Sequence, residues 1–588
     1  MLNVEHILEE RYPDFVNQHT KTASTLSRFL SFLFYESRFQ QFGRDYPHLE
    51  GFDFVEAVLR YFDFTLRLRE DERARIPATG PVVIVANHPI GSLDGLALLN
   101  LVREVRADVK VVANDLLAVL DPLKPVMLPV NNMGGNTPKA NLANIKQHLK
   151  QDGALIIFPA GEVSRFGPTG IKDGKWQSGF VKIARSAEAP ILPIFVAGRN
   201  SAFFYSISFL AKPLSTVWLV REMFKQSHNT VDARVGNPIP HEIYSRVDGG
   251  AKHLAALFRK HVYRLARGRR GIFLTTETVA APENRLLLKR ELEQCELLGD
   301  TPDGKQIYLY KQQTSDCLMR EIGRLRELTF RSVGEGSGLP RDIDRFDREY
   351  FQLVLWDPEQ LEIAGAYRIG DSGDLVSRKG IDALYTHTLF DFGDGMQPVL
   401  ARGLELGRSF VQPRYQNRQS LDYLWCGIGA FLRRYPNYRY LYGPVSISRF
   451  YSDAAIAHIV YFYSCHYGSD ELGVSGRTPY LVQPEYQQQL IEEFSGTDRE
   501  ADFRALREYL AEHGMPVPIL FKHYSEVAEP EGVRFAAFNI DPDFGDCVDG
   551  FLVVDLQQLK PRKRKRYLGT DVTLGLGVEE SNDGRPEL

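Results

Sequence analysis

The chain lacks the features that identify several large function classes. Its five cysteines, Cys295, Cys317, Cys426, Cys465 and Cys547, are widely spaced and form no Cys-x-x-Cys pair. That argues against a disulfide framework or a thiolate metal site, and no metal is expected. No run of about 18 uncharged apolar residues occurs, so a conventional spanning helix is not expected. The opening MLNVEHILEERYPDF has no basic n-region and no apolar h-region, and no secretory signal is read there. Positive charge is not in excess: 71 Lys and Arg against 75 Asp and Glu give a net charge of −4, so nucleic acid is not an expected partner. There is no Walker-A loop, no G-x-S-x-G elbow and no H-E-x-x-H. Gly334-Glu-Gly-Ser-Gly338 has the wrong spacing for a nucleophile elbow and reads as a flexible loop.

What is present is ordinary globular composition, 44% hydrophobic and 25% charged, over 588 residues, which is long for one core and implies two domains. From about residue 50 to 260, β-rich runs (81–87, 109–113, 154–161, 190–198) alternate with helical runs (93–105, 140–150, 179–187), the pattern of a layered α/β domain with a buried sheet. Arg267-Gly-Arg-Arg-Gly271 and the following TTETVAAPEN have a linker's composition. A second α/β pattern follows, with strands expected at 306–312, 353–356, 362–370, 399–407, 438–448 and 550–556 and helices at 315–331 and 420–435. The reading is therefore an α/β chain of two different domains, not a duplication. It comprises an N-terminal helical, membrane-interfacial candidate (1–50), a first domain (51–270), a linker (271–300), a second domain (301–570) and a flexible tail (571–588).

In the first domain, Asn87-His88-Pro89-Ile90-Gly91-Ser92-Leu93-Asp94-Gly95 places a histidine just beyond an apolar strand and an aspartate at the opening of the next helix. Loops beyond strand ends are where α/β sites gather, and a carboxylate beside an imidazole makes a competent general base toward a hydroxyl. The alternative is a helix-capping Asp94 beside a turn histidine. Phe158-Pro-Ala-Gly-Glu-Val-Ser-Arg165 and Ala189-Pro-Ile-Leu-Pro-Ile-Phe195 complete a set of three blocks. Together they resemble the glycerolipid acyltransferase family typified by lysophosphatidate acyltransferase, in its hemolysin-like branch, over roughly residues 50–260. By that resemblance His88 deprotonates an acceptor hydroxyl, Asp94 orients it, the alkoxide attacks an acyl thioester, and Glu162 and Arg165 bind the acceptor. Two departures stand out. Five residues, not four, separate His88 from Asp94, with Gly91 the natural place to absorb the insertion. Ala160 stands where the family has Glu in its phosphate-holding block, which argues against a phosphate-bearing acceptor.

In the second domain the chemistry-bearing residues are charges beside apolar strands: Arg326, Arg331, Asp347, Arg368, Glu405 and Arg408. Each alone reads as a solvated surface charge. In order, Ile322 to Arg331, Phe346-Asp347, Ala364 to Gly370, Glu405 to Phe410, Pro516 to Lys522, Asp541 to Phe544 and Asp549 to Val554 resemble the ornithine N-acyltransferase family, which is related to the acetyltransferase (GNAT) and autoinducer-synthase folds. No Q-x-x-G-x-G/A pyrophosphate loop is evident, in line with that family's use of acyl carrier protein as donor. On residue type and block position, Glu405 is the candidate acceptor of the amine proton and Asp347 the candidate holder of a distal ammonium. Arg368 and Arg408 are assigned to a carboxylate or to the carrier's phosphopantetheine.

Both halves in this order resemble a bifunctional ornithine lipid synthase. The resemblance implies N-acylation of the ornithine α-amine from a 3-hydroxyacyl-acyl carrier protein, then O-acylation of the 3-hydroxyl from an acyl thioester on carrier or CoA, with no bound cofactor. The implied partners are acyl carrier protein, ornithine, lyso-ornithine lipid and the inner face of the cytoplasmic membrane, held peripherally. Three segments are candidates for that attachment: Ser24 to Phe42, Ser201 to Val220 (interrupted by Lys212 and Pro213) and the basic run Lys560 to Arg566. The first two otherwise read as buried helices and the third as a solvated tail. Each basic residue near an anionic leaflet contributes about 1 kcal/mol. Two alternatives stay open: an acyltransferase acting on another head group (glycine, glutamine or a lysophospholipid), and a membrane-binding hemolysin-like protein.

Overall fold

The computed structural model describes residues 20–33, 35–114, 120–130, 139–168, 170–210, 212–312, 317–416, 419–569 and 574. The chain divides into two compact units, Met1–Ala281 and Pro282–Leu588.

In the first unit the strands are β1 (Thr65–Arg67), β2 (Val82–Ala86), β3 (Lys110–Asn114), β4 (Met127–Val130), β5 (Ala154–Ile157), the short hairpin of β6 (Arg165–Gly167) and β7 (Gly170–Lys172), β8 (Ile191–Val196) and β9 (Thr230–Val235). The main sheet runs β1-β9-β8-β2-β5-β3-β4. β2 lies at its centre, parallel to both β5 and β8. Every residue of β2 is buried. Val82, Ile84 and Ala86 enter one core with helices Gly51–Phe62 and Ser92–Arg103, while Val83 and Val85 enter another with helices Gly179–Ser186 and Gly250–Leu265. A strand covered on both faces has no polar side, which is why its sequence is an unbroken apolar run.

The structure bears on two expectations for this unit. The aromatic segment at 201–220 is broken next to Lys212 and Pro213, as the sequence reading has it. It forms helices Ala202–Leu210 and Lys212–Lys225, with Pro213 in a first turn, where its missing N–H costs no hydrogen bond. The linker is shorter than 271–300. Thr278 Oγ1 donates to the Arg75 carbonyl (2.6 Å) within the first unit. Residues 285–292 form a helix and 296–300 a strand of the second unit, because Leu288 and Leu292 supply apolar surface to its core.

The second unit contains β10 (Glu296–Asp300), β11 (Gln306–Lys311), β12 (Phe351–Asp357), β13 (Glu362–Asp371), β14 (Phe390–Asp391), β15 (Gly403–Val411), β16 (Tyr440–Ile447), β17 (Ser475–Gly476), β18 (Val533–Asp541) and β19 (Cys547–Asp555). The large sheet runs β10-β11-β12-β13-β15-β16-β19-β18, and β14 pairs with β17. Within the large sheet the neighbouring strands are antiparallel except β15 and β16, which run parallel over Gly403–Glu405 against Tyr440–Tyr442. Alternation sends Leu404 and Leu406 into the core beneath helices Ser420–Arg434 and Asp453–Tyr467, and turns Glu405 to the opposite face beside Tyr350, Tyr442 and Phe551. The expected strand 399–407 is a short helix, Gln397–Ala401, followed by β15.

The basic run at 560–566 is not a solvated tail. It is helix Pro561–Tyr567, with Tyr567 buried against Trp425 and Arg566 ion-paired to Asp422. The flexible tail read at 571–588 lies outside the described residues, except Leu574, which is buried. Among the described residues, no helix is long and apolar enough to cross a membrane.

Candidate active sites

In the first unit, Asn87 ties the end of β2 to β8. Its amide oxygen accepts the Val196 N–H (2.7 Å), and its amide nitrogen donates to the Val196 carbonyl (2.9 Å). His88 follows. Its Nδ1 lies 2.8 Å from Oδ1 of the fully buried Asp94. The other Asp94 oxygen accepts the N–H groups of Ile90 (2.9 Å) and Gly91 (3.3 Å), so the carboxylate both orders the turn and faces the imidazole. Gly91 sits at φ +123°, a conformation that L side chains rarely adopt. With Nδ1 engaged, Nε2 is the nitrogen available to a substrate hydroxyl. Phe158 packs over the imidazole with ring centroids 4.2 Å apart. Burial opposes protonation of His88, but the charge of Asp94, with that of Asp173 beyond it, outweighs burial and raises the imidazole above its ordinary range.

The block at 158–165 meets this loop directly, since the Ser164 N–H donates to the His88 carbonyl (2.7 Å). Arg165 lies 3.4 Å from Glu162, donates to the Ser208 hydroxyl and stands over the Phe204 ring. The two expected acceptor-binding residues are thus brought together, in the block whose Ser164 bonds to His88. Asn87, Asn200 and Asp173 were not singled out from sequence. Asn200 Nδ2 donates to the Pro89 and Ile90 carbonyls (both 3.2 Å), and Asp173 accepts the His88 N–H (3.2 Å). In sequence, Ile171-Lys-Asp-Gly-Lys175 looks like a solvated turn.

In the second unit, Glu405, Arg368, Arg408 and Asp347 meet in one buried polar cluster on one face of the large sheet, in two different roles. Asp347 is wholly buried, and its bonds are internal. Oδ1 accepts from Arg326 (2.9 Å) and Gln352 (3.1 Å), with Arg368 at 3.5 Å, and Oδ2 accepts the Asp344 N–H (2.9 Å). Burial works against its charge, but the two guanidinium groups outweigh it and hold the carboxyl low. A carboxylate so occupied has no place for a substrate ammonium, and the role expected of Asp347 is corrected to a structural one. Arg368 is likewise buried, donating through Nη1 to both Asp344 oxygens at 2.7 Å, while its Nη2 has no hydrogen-bond partner among the described residues.

Glu405 and Arg408 lie in the same cluster. Glu405 pairs across the parallel junction with Tyr442. It accepts the Tyr350 hydroxyl on one oxygen and the Thr386 N–H (2.6 Å) on the other. Burial raises its carboxyl above the usual range, the direction that suits a proton acceptor near neutral pH. Arg408, with its backbone at φ +50°, lies 3.0 Å from Asp342, donates to the Tyr385 hydroxyl (3.0 Å) and stands over the Phe544 ring. Three further carboxyls have Arg408 as a nearby countercharge: Glu335, Asp541 and Asp549. Burial, reinforced by Asp549, pushes Glu335 to about 8, and burial pushes Asp549 to about 7. Beyond the parallel stretch of β15 and β16 a small cavity opens, lined by Leu406, Tyr442, Gly443, Tyr524 and Leu552 among others.

Comparison with known proteins follows the same division. Residues 6–269 match the acyltransferase family, and residues 325–426 match the acetyltransferase (GNAT) domain. A glycine N(alpha)-acyltransferase of Bacteroides thetaiotaomicron is 32% identical over 307 residues, covering 50% of this chain and 90% of that protein. A lyso-glycine lipid O-acyltransferase of Phocaeicola vulgatus is 30% identical over 247 residues, covering 40% of this chain and 86% of that protein. An L-ornithine N(alpha)-acyltransferase of Brucella abortus is 31% identical over 132 residues, covering 19% of this chain and 45% of that protein.

Proposed function

The chain belongs to the family of the glycine N(alpha)-acyltransferases and lyso-glycine lipid O-acyltransferases, and from that premise we propose that it is a bifunctional synthase of a diacylated ornithine lipid. The observation that carries the reading is the coexistence in one chain of a His88–Asp94 pair in the first unit and the Glu405–Arg408 cluster in the second. In the second unit, Glu405, directly or through water, takes a proton from the α-ammonium of the amino acid. The amine attacks the thioester carbonyl of a 3-hydroxyacyl-acyl carrier protein, and the carrier thiol leaves. In the first unit, His88 takes the proton of the 3-hydroxyl, the oxygen attacks a second acyl thioester, and the proton passes to the departing thiol. General-base assistance of this kind is worth about 10²–10⁴-fold in rate.

Ornithine is favoured over glycine by charge. Burial raises the carboxyls of Glu335, Asp541 and Asp549 above their usual range, and a head group with a second ammonium offers them a positive charge that favours their ionised form, as glycine does not. The acceptor of the O-acylation then carries no phosphate, in keeping with Ala160 in the drifted block. Attachment to the cytoplasmic membrane surface is supported by Phe29 and Phe32, exposed on helix Thr20–Leu33, with Arg221 over Phe32 and Trp218, an aromatic and cationic set suited to a lipid interface.

The test is mass spectrometry of total lipids from a bacterial host without aminolipids that expresses this chain. The expected product is a phosphorus-free ornithine lipid with two acyl chains. His88→Ala should accumulate its monoacyl form, and Glu405→Gln should yield neither. A glycine head group in place of ornithine would replace the head-group assignment and leave the two-step scheme intact. An unchanged lipid profile from folded protein would reject the scheme.

A further inference from the structure

The peptide of His88 is gripped on both sides. Its carbonyl accepts the Ser164 N–H at 2.7 Å, and its N–H donates to Asp173 Oδ1 at 3.2 Å. Asp173 follows β7 and is buried. Its carboxylate also accepts the Ser164 hydroxyl (2.5 Å) and the Trp176 indole N–H (2.8 Å). Its own N–H donates to the Tyr263 hydroxyl (2.7 Å), and its carbonyl accepts from Arg259, both on helix Gly250–Leu265. One residue therefore ties together the end of β2, the 158–165 block, the approach to helix Gly179–Ser186 and the helix Gly250–Leu265.

We propose that Asp173 is a positioning residue for O-acylation, a carboxylate that fixes the His88 loop from behind while Asp94 fixes the ring. Burial pushes the Asp173 carboxyl above its usual range, and the three donors that converge on it work against that rise. Two carboxylates act on His88: Asp94 from helix Ser92–Arg103, at 2.8 Å from Nδ1, and Asp173 from the loop after β7. Phe158 contributes an uncharged face. Around Asp173 the ionisable neighbours are His88, Tyr263 and Arg259. Both negative charges stabilise the imidazolium that forms when His88 takes the hydroxyl proton. Removing either one lowers the pH at which the imidazole becomes neutral.

The inference rests on His88 as the base, and the experiment separates the two. O-acylation of a synthetic monoacyl ornithine lipid by full-length enzyme is measured from pH 5 to 9 for wild type, His88→Ala, Asp173→Asn and Ser164→Ala. Asp173→Asn keeps an acceptor for the His88 N–H but removes the charge. It should lower kcat by about tenfold or more, a part of the roughly 10²–10⁴-fold that general-base assistance supplies, and move the acidic limb to lower pH. A lower rate at every pH with the limb in place would make Asp173 merely structural and overturn the proposal, as would a wild-type profile. Full activity in His88→Ala would instead defeat the base assignment. If Asp173→Asn does not fold, Ser164→Ala decides: losing that one hydroxyl should lower kcat several-fold at constant KM, and an unchanged kcat overturns the proposal.

Discussion

At the scale of single residues, charge of the same type serves opposite ends in the second unit. Asp347 and Glu405 are both buried carboxylates near arginines. Asp347 is held ionised by Arg326 and Arg368 and is closed off by internal bonds. Glu405 is offered two neutral donors and is raised by burial. The first arrangement stabilises a loop, and the second, on the proposed function, prepares a base. Asp347→Ala leaves Arg326 without its carboxylate, and stranding one partner of such a pair costs about 3–5 kcal/mol. The expected outcome in denaturant titration is a loss of that size, with the KM for the amino acid unchanged in the protein that remains folded. A selective rise in that KM at full stability would return Asp347 to substrate binding.

At the scale of elements, the sites form where regular pairing stops. His88 lies just beyond β2 with Asp94 in the first turn of the helix that follows, and Glu405 sits at the last paired position of β15 against β16. At the next step Gly443 passes the β15 backbone so closely that a Cβ there would lie 2.0 Å from the Leu406 carbonyl oxygen. The neighbour is backbone and cannot rotate away, so Gly443→Ala must push β15 and β16 apart. Overpacking of this kind costs about 1–3 kcal/mol. The variant should show a lower thermal midpoint and weakened N-acylation, with O-acylation retained, as read by the accumulation of unreacted amino acid and normal turnover of supplied monoacyl lipid.

At the scale of the whole molecule, the division at Ala281 and Pro282 separates two sets of cores. The clusters around β2 draw on residues of the first unit, and the clusters on the faces of the large sheet draw on the second. A unit with its own buried core has the means to fold alone. Fragments 1–281 and 282–588, expressed separately, should each give a cooperative melt. The first should acylate supplied monoacyl lipid and the second should form it. Failure of either fragment to fold would mean that its stability depends on the other.

Much of this was legible from the chain alone. The apolar run of β2 and the His88-to-Asp94 spacing are local patterns, set by burial on both strand faces and by what one turn can span. The basic run at 560–566 and the segment at 285–300 were not legible as structure. Their helices and strand depend on distant partners, Asp422 and Trp425 for the first and the core under β11 and β12 for the second. The same holds for Asp173, Asp347 and Asp549. Composition and spacing report that a carboxylate is present. Whether it is a clamp, a structural ion pair or part of a substrate site depends on which donors reach it through space, and those donors come from segments far apart in sequence, which only the tertiary structure brings together.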